Sequence, residues 1–167
     1  LYIHQKETEL AELRLQVQYL TKGFAQLNPA NKIQHAVLKW HSQAVVSLAT
    51  AGNFLFSGSM DGMLKLWDLS TLQPATEVNM LSPVFQLEIH QSRLYSGHQN
   101  LVRVWDLNTT GLVAELPGHN GPVKALMVAS NRLSTGSTNQ IRIYDTGTLA
   151  LQQEVSFAHK GDVRDFV

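Results

Sequence analysis

Three residues in the first third of the chain have the types that a serine hydrolase uses: His41, Ser57 and Asp61 supply a base, a nucleophile and an orienting carboxylate. Their setting argues against that use. Ser57 lies inside the apolar run Phe54 to Ser57 rather than on an exposed turn. Seven histidines raise metal binding, yet His41, His119 and His159 occupy repeated positions and the others show no H-x-x-x-H spacing. Gly58, Gly62 and Gly97 close strands and turns and do not spell a phosphate loop. No catalytic, cofactor-binding or metal-ligating residue is assigned, and no cofactor is expected.

The elements that position these residues repeat. Trp67-Asp68, Trp105-Asp106 and Tyr144-Asp145 recur at steps of 38 and 39, a period that belongs to solenoids and propellers. A second landmark keeps the same period: His41, Met80, His119 and His159 each stand four residues before Val45, Val84, Val123 and Val163. Between landmarks lie three short apolar runs separated by Gly, Asn, Asp and Ser, which read as strands. In the first unit they are expected near 44–50, 53–58, 63–68 and, after a further break, 74–79. Several runs are apolar at consecutive positions, so their sheets should be covered on both faces.

The succession of His41, then Ser57-Gly58-Ser59-Met60-Asp61-Gly62, then Trp67-Asp68, resembles the WD40 repeats of β-propellers. The resemblance extends over 32–167. It implies a mainly β fold, a partial propeller of four-stranded antiparallel blades over 29–167. Residues 32–40 would be the outer strand of a neighbouring blade, 41–79, 80–118 and 119–158 three blades, and 159–167 the start of a fourth. Such propellers usually have about seven blades, so the chain is expected to be part of a longer protein, or else to complete its ring with copies of itself. An unpaired strand edge is expected where the fourth unit stops.

The resemblance further implies that His41, Ser57, Asp61 and Trp67 form a structural hydrogen-bonded tetrad. The second unit has Met80 for the His and a shorter turn at His98-Gln99-Asn100, so it should depend on apolar packing. The third has Asn139 and Tyr144 for Asp and Trp and should form a neutral version. Partners of such propellers dock on the rim that carries the His loops and Asp turns. The candidate rim residues are Met60, Phe85, His98, Gln99, Lys124, Thr138 and Arg164. Lys124 and Arg164 suggest a phosphate site, but the uncharged turn positions argue for ordinary solvated charges.

Residues 1–28 follow another pattern. Ile3, Leu10, Val17 and Phe24 alternate with Lys6, Leu13, Leu20 and Leu27 at spacings of three and four, the a and d seam of a coiled coil. Glu9 and Arg14 fall at g and e, and the residue choice favours a homodimer. Lys6 interrupts the seam, Leu15 lies outside it and Gly23 weakens the helix; an amphipathic helix packed on its own propeller is the alternative. Asn28-Pro29 ends the segment.

Thirteen basic and thirteen acidic residues balance without a basic run, which argues against electrostatic nucleic-acid binding. No apolar run has membrane-spanning length, no signal-peptide pattern opens the chain, and cysteine is absent. These features imply an intracellular protein, cytoplasmic rather than nuclear. Its expected work is non-catalytic scaffolding of a protein or peptide partner, or targeting within a larger enzyme such as a ubiquitin ligase or a myosin heavy-chain kinase.

Overall fold

The computed structural model describes residues 37–156 and 161–166. The helix expected over 1–28 and the landmark His159 lie outside them. The described chain forms twelve strands: β1 Val45–Ala51, β2 Phe54–Ser59, β3 Met63–Asp68, β4 Gln73–Asn79, β5 Gln86–His90, β6 Arg93–Gly97, β7 Gln99–Asp106, β8 Leu112–Pro122, β9 Ala125–Ala129, β10 Arg132–Ser137, β11 Gln140–Asp145 and β12 Leu151–Ser156. No helix occurs among the described residues. Four consecutive strands make each antiparallel sheet, β1–β4, β5–β8 and β9–β12. The first sheet falls within one residue of the strand limits read from the sequence.

The side-chain alternation of strands explains how the sheets stack. In β6, Leu94 enters an apolar cluster with Phe56, Leu64, Met80, Val84 and Leu87. Its neighbour Tyr95 points to the other face and joins Val102, Val104, Val123, Leu126 and Leu133. The middle sheet is thus covered on both sides, as its consecutive apolar residues require. The outer strand of the first sheet takes the opposite character: every residue of β4 is exposed. Val46 and Leu48 of β1 are exposed at 44% and 60%, so one face of the first sheet is open in the described structure.

Two segments depart from the expected grammar. Val37 to Trp40 is irregular rather than strand among the described residues, and Trp40 stands edge-on to Trp67 at 5.4 Å. At the other end Asp162 forms an antiparallel bridge with Thr138. The amide of Val163 donates to Ser137 O at 3.1 Å, as that of Val84 does to Ser59 O at 3.0 Å, so the start of another unit repeats the same junction.

Candidate partner-binding rim

The first sheet brings His41, Ser57, Asp61 and Trp67 together. The Nδ1–H of His41 donates to Asp61 Oδ2 at 2.9 Å, and its Nε2 lies 2.8 Å from Ser57 Oγ. That oxygen also accepts the indole N–H of Trp67 at 2.9 Å. Asp61 accepts in addition the amides of Ser42 and Met63, each at 2.9 Å. Burial raises the Asp61 pKa, but these amides, His41 and Ser59 outweigh it and hold the carboxyl well below its ordinary range. Ser57 is only 3% exposed. A base, a carboxylate and a hydroxyl are present, and the hydroxyl is buried against the indole of Trp67.

The second sheet is not left to apolar packing. His98, fully buried, takes the place left by Met80: its Nε2 lies 2.9 Å from Ser96 Oγ, which accepts the indole N–H of Trp105 at 3.1 Å. Its Nδ1 is 3.1 Å from Pro83 O and 2.9 Å from Ser82 Oγ. A carbonyl only accepts, so Nδ1 carries the proton and Nε2 accepts from Ser96. Burial and then the Arg103 charge push His98 down to about 4 from 6.5.

In the third sheet His119 lies 2.8 Å from Thr135 Oγ1 and 2.9 Å from Ser137 Oγ. Thr135 donates to Arg142 O at 3.1 Å, so His119 donates to Thr135 and accepts from Ser137. Burial, then Arg142, push His119 to about 4 as well. The neutral version therefore uses Ser137 rather than Asn139, whose Oδ1 instead accepts the Gly161 amide at 2.6 Å. Tyr144 supplies no indole donor, and its buried hydroxyl has no hydrogen-bond partner among the described residues.

A second device recurs beside these histidines. Lys65, Arg103 and Arg142 each pair with a carboxylate of the neighbouring outer strand, Glu77, Glu115 and Glu154, at 3.0, 2.7 and 2.9 Å. Each also donates to a backbone carbonyl of the stretch preceding its sheet: Lys65 to Trp40 O at 2.8 Å, Arg103 to Met80 O, and Arg142 to Pro117 O, within β8, at 2.7 Å. Lys65 lies over the Trp40 ring at 4.4 Å. Both sets step by 38 and 39, so the sequence carried the signal in the repeat frame.

These fastenings decide what remains on the rim. Met60, Phe85 and Thr138 are partly exposed, Gln99 and Arg164 fully so, and His98 is withdrawn onto Ser96. Asp162 accepts from Lys124 Nζ and from Thr138 Oγ1, both at 2.7 Å. This pair draws Lys124 away from a phosphate site and leaves Arg164 as the exposed cation beside it. Between the first and second units lies a recess of about 390 Å³ lined by Met60, Asn79, Leu81, Ser82 and Pro83 among others. Among the described residues no cluster of three His, Cys, Asp or Glu is placed to hold a metal ion. No described helix is long and apolar enough to cross a membrane.

Residues 32–68 and 110–145 match the family model described as WD domain, G-beta repeat. Cell division control protein 4 of Candida albicans is 34% identical over 50% of this chain and 13% of its own length. Myosin heavy chain kinase C of Dictyostelium discoideum is 33% identical over 58% of this chain and 13% of its own. Regulator of rDNA transcription protein 13 of Saccharomyces cerevisiae is 32% identical over 52% and 49%. Among solved structures, the computationally designed Ika4 protein superposes with a TM-score of 0.68 at 28% identity over 77% of this chain and 82% of that one. The RRP9 WD40 repeats share the fold at 0.71 and 17% identity, over 78% and 43%. The chain spans less than half the length of each of the three natural relatives compared by sequence.

Proposed function

We propose that this chain, a protein of WD40 repeats, is a non-catalytic interaction scaffold whose propeller rim holds a protein or peptide partner. The observation that carries the reading is the enclosure of Ser57: its hydroxyl is committed to His41 and Trp67 and shielded from solvent. The chemical groups therefore serve the fold, and the surface left to act is the rim of turns. WD40 domains generally mediate protein–protein interaction, and the relatives include regulatory proteins.

Selection of phage-displayed peptides on the immobilised chain, followed by calorimetry of the selected peptides, tests this. Recovered peptides that weaken on Lys124→Glu with Arg164→Glu support docking at that arc of the rim; equal binding to both proteins removes the arc from the reading. In the scaffold, residues 1–28 join two copies and raise avidity through effective concentration. Leu13→Asp with Leu20→Asp then halves the sedimenting mass, and an unchanged mass leaves only packing of that segment on its own propeller. The site of action is intracellular, and cytoplasmic rather than nuclear.

The match to 13% of a myosin heavy chain kinase favours a second reading. There the repeats target a catalytic domain elsewhere in a longer polypeptide. A kinase domain or a Cys-His zinc pattern in the full-length transcript supports targeting, and neither supports the scaffold.

A further inference from the structure

Leu81 is 83% exposed, the largest exposure among the large apolar side chains described. Its backbone is left-handed, with φ of 59°, a conformation that suits Gly or Asn and disfavours leucine. Packing does not demand a leucine there. Its neighbour Met80 takes the buried position at 1% exposure. The residues following the landmark in the other described units are Ser42 and Asn120, both polar and exposed. An apolar side chain that neither stabilises the core nor suits its backbone points to a use outside the fold.

The loop that carries it is held from every side. The Leu81 amide donates to Asn79 Oδ1 at 2.8 Å, and the Met80 amide to Gly62 O at 2.8 Å. Arg103 donates to Met80 O and His98 to Pro83 O. Gly62, at φ of 78°, lets the Asp61 turn lie against the Ser82 backbone. Leu81 is therefore a preorganised projection, which lowers the ordering cost of a contact. The adjoining recess adds Met60 and Pro83 as apolar walls and Ser82 and Asn79 as uncharged polar groups. The charged groups nearby are already engaged, Asp61 by hydrogen bonds from His41 and the Ser42 and Met63 amides, and Arg103 by Glu115.

We infer that Leu81 is the apolar anchor of the rim, and that the recess beside it takes an uncharged, apolar-tipped segment of a protein partner. The inference rests on the rim-binding reading above and narrows it to one contact. Electrostatic steering contributes little at such a site, so binding is insensitive to salt.

The test uses peptides selected on the intact chain, measured against Leu81→Asn, which installs the residue that the third unit has. The thermal midpoint of the variant is expected to hold or rise, because Asn suits the left-handed backbone, while peptide affinity falls by about thirtyfold or more, as for a central hot spot. Affinity should change little over a roughly tenfold rise in ionic strength. Peptides that bind Leu81→Asn as well as wild type overturn the anchor and leave rim binding intact. Failure to select any peptide sinks both. Loss of phosphatidylcholine vesicle binding in Leu81→Asn, with peptide affinity unchanged, assigns the leucine to a lipid surface and also overturns the inference.

Discussion

His98 Nε2 lies 2.9 Å from Ser96 Oγ although only two residues separate them. The first sheet makes the matching contact, His41 to Ser57, across sixteen residues. The second unit has thus replaced a long-range anchor with a local one. Removing His98 takes their partner from the Ser96 hydroxyl, the Ser82 hydroxyl and Pro83 O and leaves a buried void. His98→Ala should cost about 1–3 kcal/mol, as should Asp61→Ala, from buried groups left unsatisfied. Asn100→Gly should be near neutral, because the side chain is exposed and the backbone is left-handed at φ of 69°. Urea titration of the three variants checks the order; equal losses at Asp61 and Asn100 contradict it.

Acid should loosen the fold before carboxylates titrate. His98 and His119 bind protons in the unfolded chain below about 6.5 but in the native fold only near 4. Their neutral forms therefore contribute stability that is full above pH 6.5 and is lost progressively as pH falls to 4. Asp61, whose pKa is depressed, adds a loss of the same sign at lower pH. The denaturation midpoint should drop between pH 7 and 4.5, and His98→Asn should flatten that slope. An unaltered slope means that His98 does not keep its neutral form.

Gly118 and Arg142 should couple. Gly118 has φ of 101°, and a Cβ there would collide with the Arg142 guanidinium. Gly118→Ala is expected to destabilise by a few kcal/mol, from backbone strain and displacement of the guanidinium from Pro117 O. In an Arg142→Ala background the second part disappears, leaving the backbone strain alone. A double-mutant cycle with no coupling energy contradicts the contact.

Tyr144 offers a gain. Its hydroxyl is buried without a partner among the described residues, so Tyr144→Phe removes an unsatisfied group while keeping the ring among Val102, Val104 and Leu133. Thermal unfolding should show stability unchanged or raised by up to about 1 kcal/mol. A clear loss implies that the hydroxyl has a partner after all.

The repeat frame and the strands of the first sheet were legible because apolar runs and turn residues are local signals. The resemblance to WD40 repeats supplied the set His41, Ser57, Asp61 and Trp67 and carried a fixed spacing with it. It missed His98 because it sought the histidine sixteen residues before the serine, whereas the working one comes two residues after it, beyond a turn whose geometry no spacing encodes. Spacing alone gave Lys65, Arg103 and Arg142 no role, since their pairing with Glu77, Glu115 and Glu154 appears only once the strands are set in register. Lys124 and Thr138 looked free on the rim because their shared acceptor, Asp162, belongs to the following unit.

The cationic side chains of the third strands give the backbone preceding each sheet a second mooring, separate from its histidine. Such redundancy buffers the repeat against loss of either one. Where Met80 stands instead of histidine, Arg103 still grips the same stretch of backbone at Met80 O. The second unit shows both devices at once, Arg103 on Met80 O and His98 on Ser96 from the other side of the serine. The rim loops are then free to diversify in sequence while the sheets beneath them stay in step.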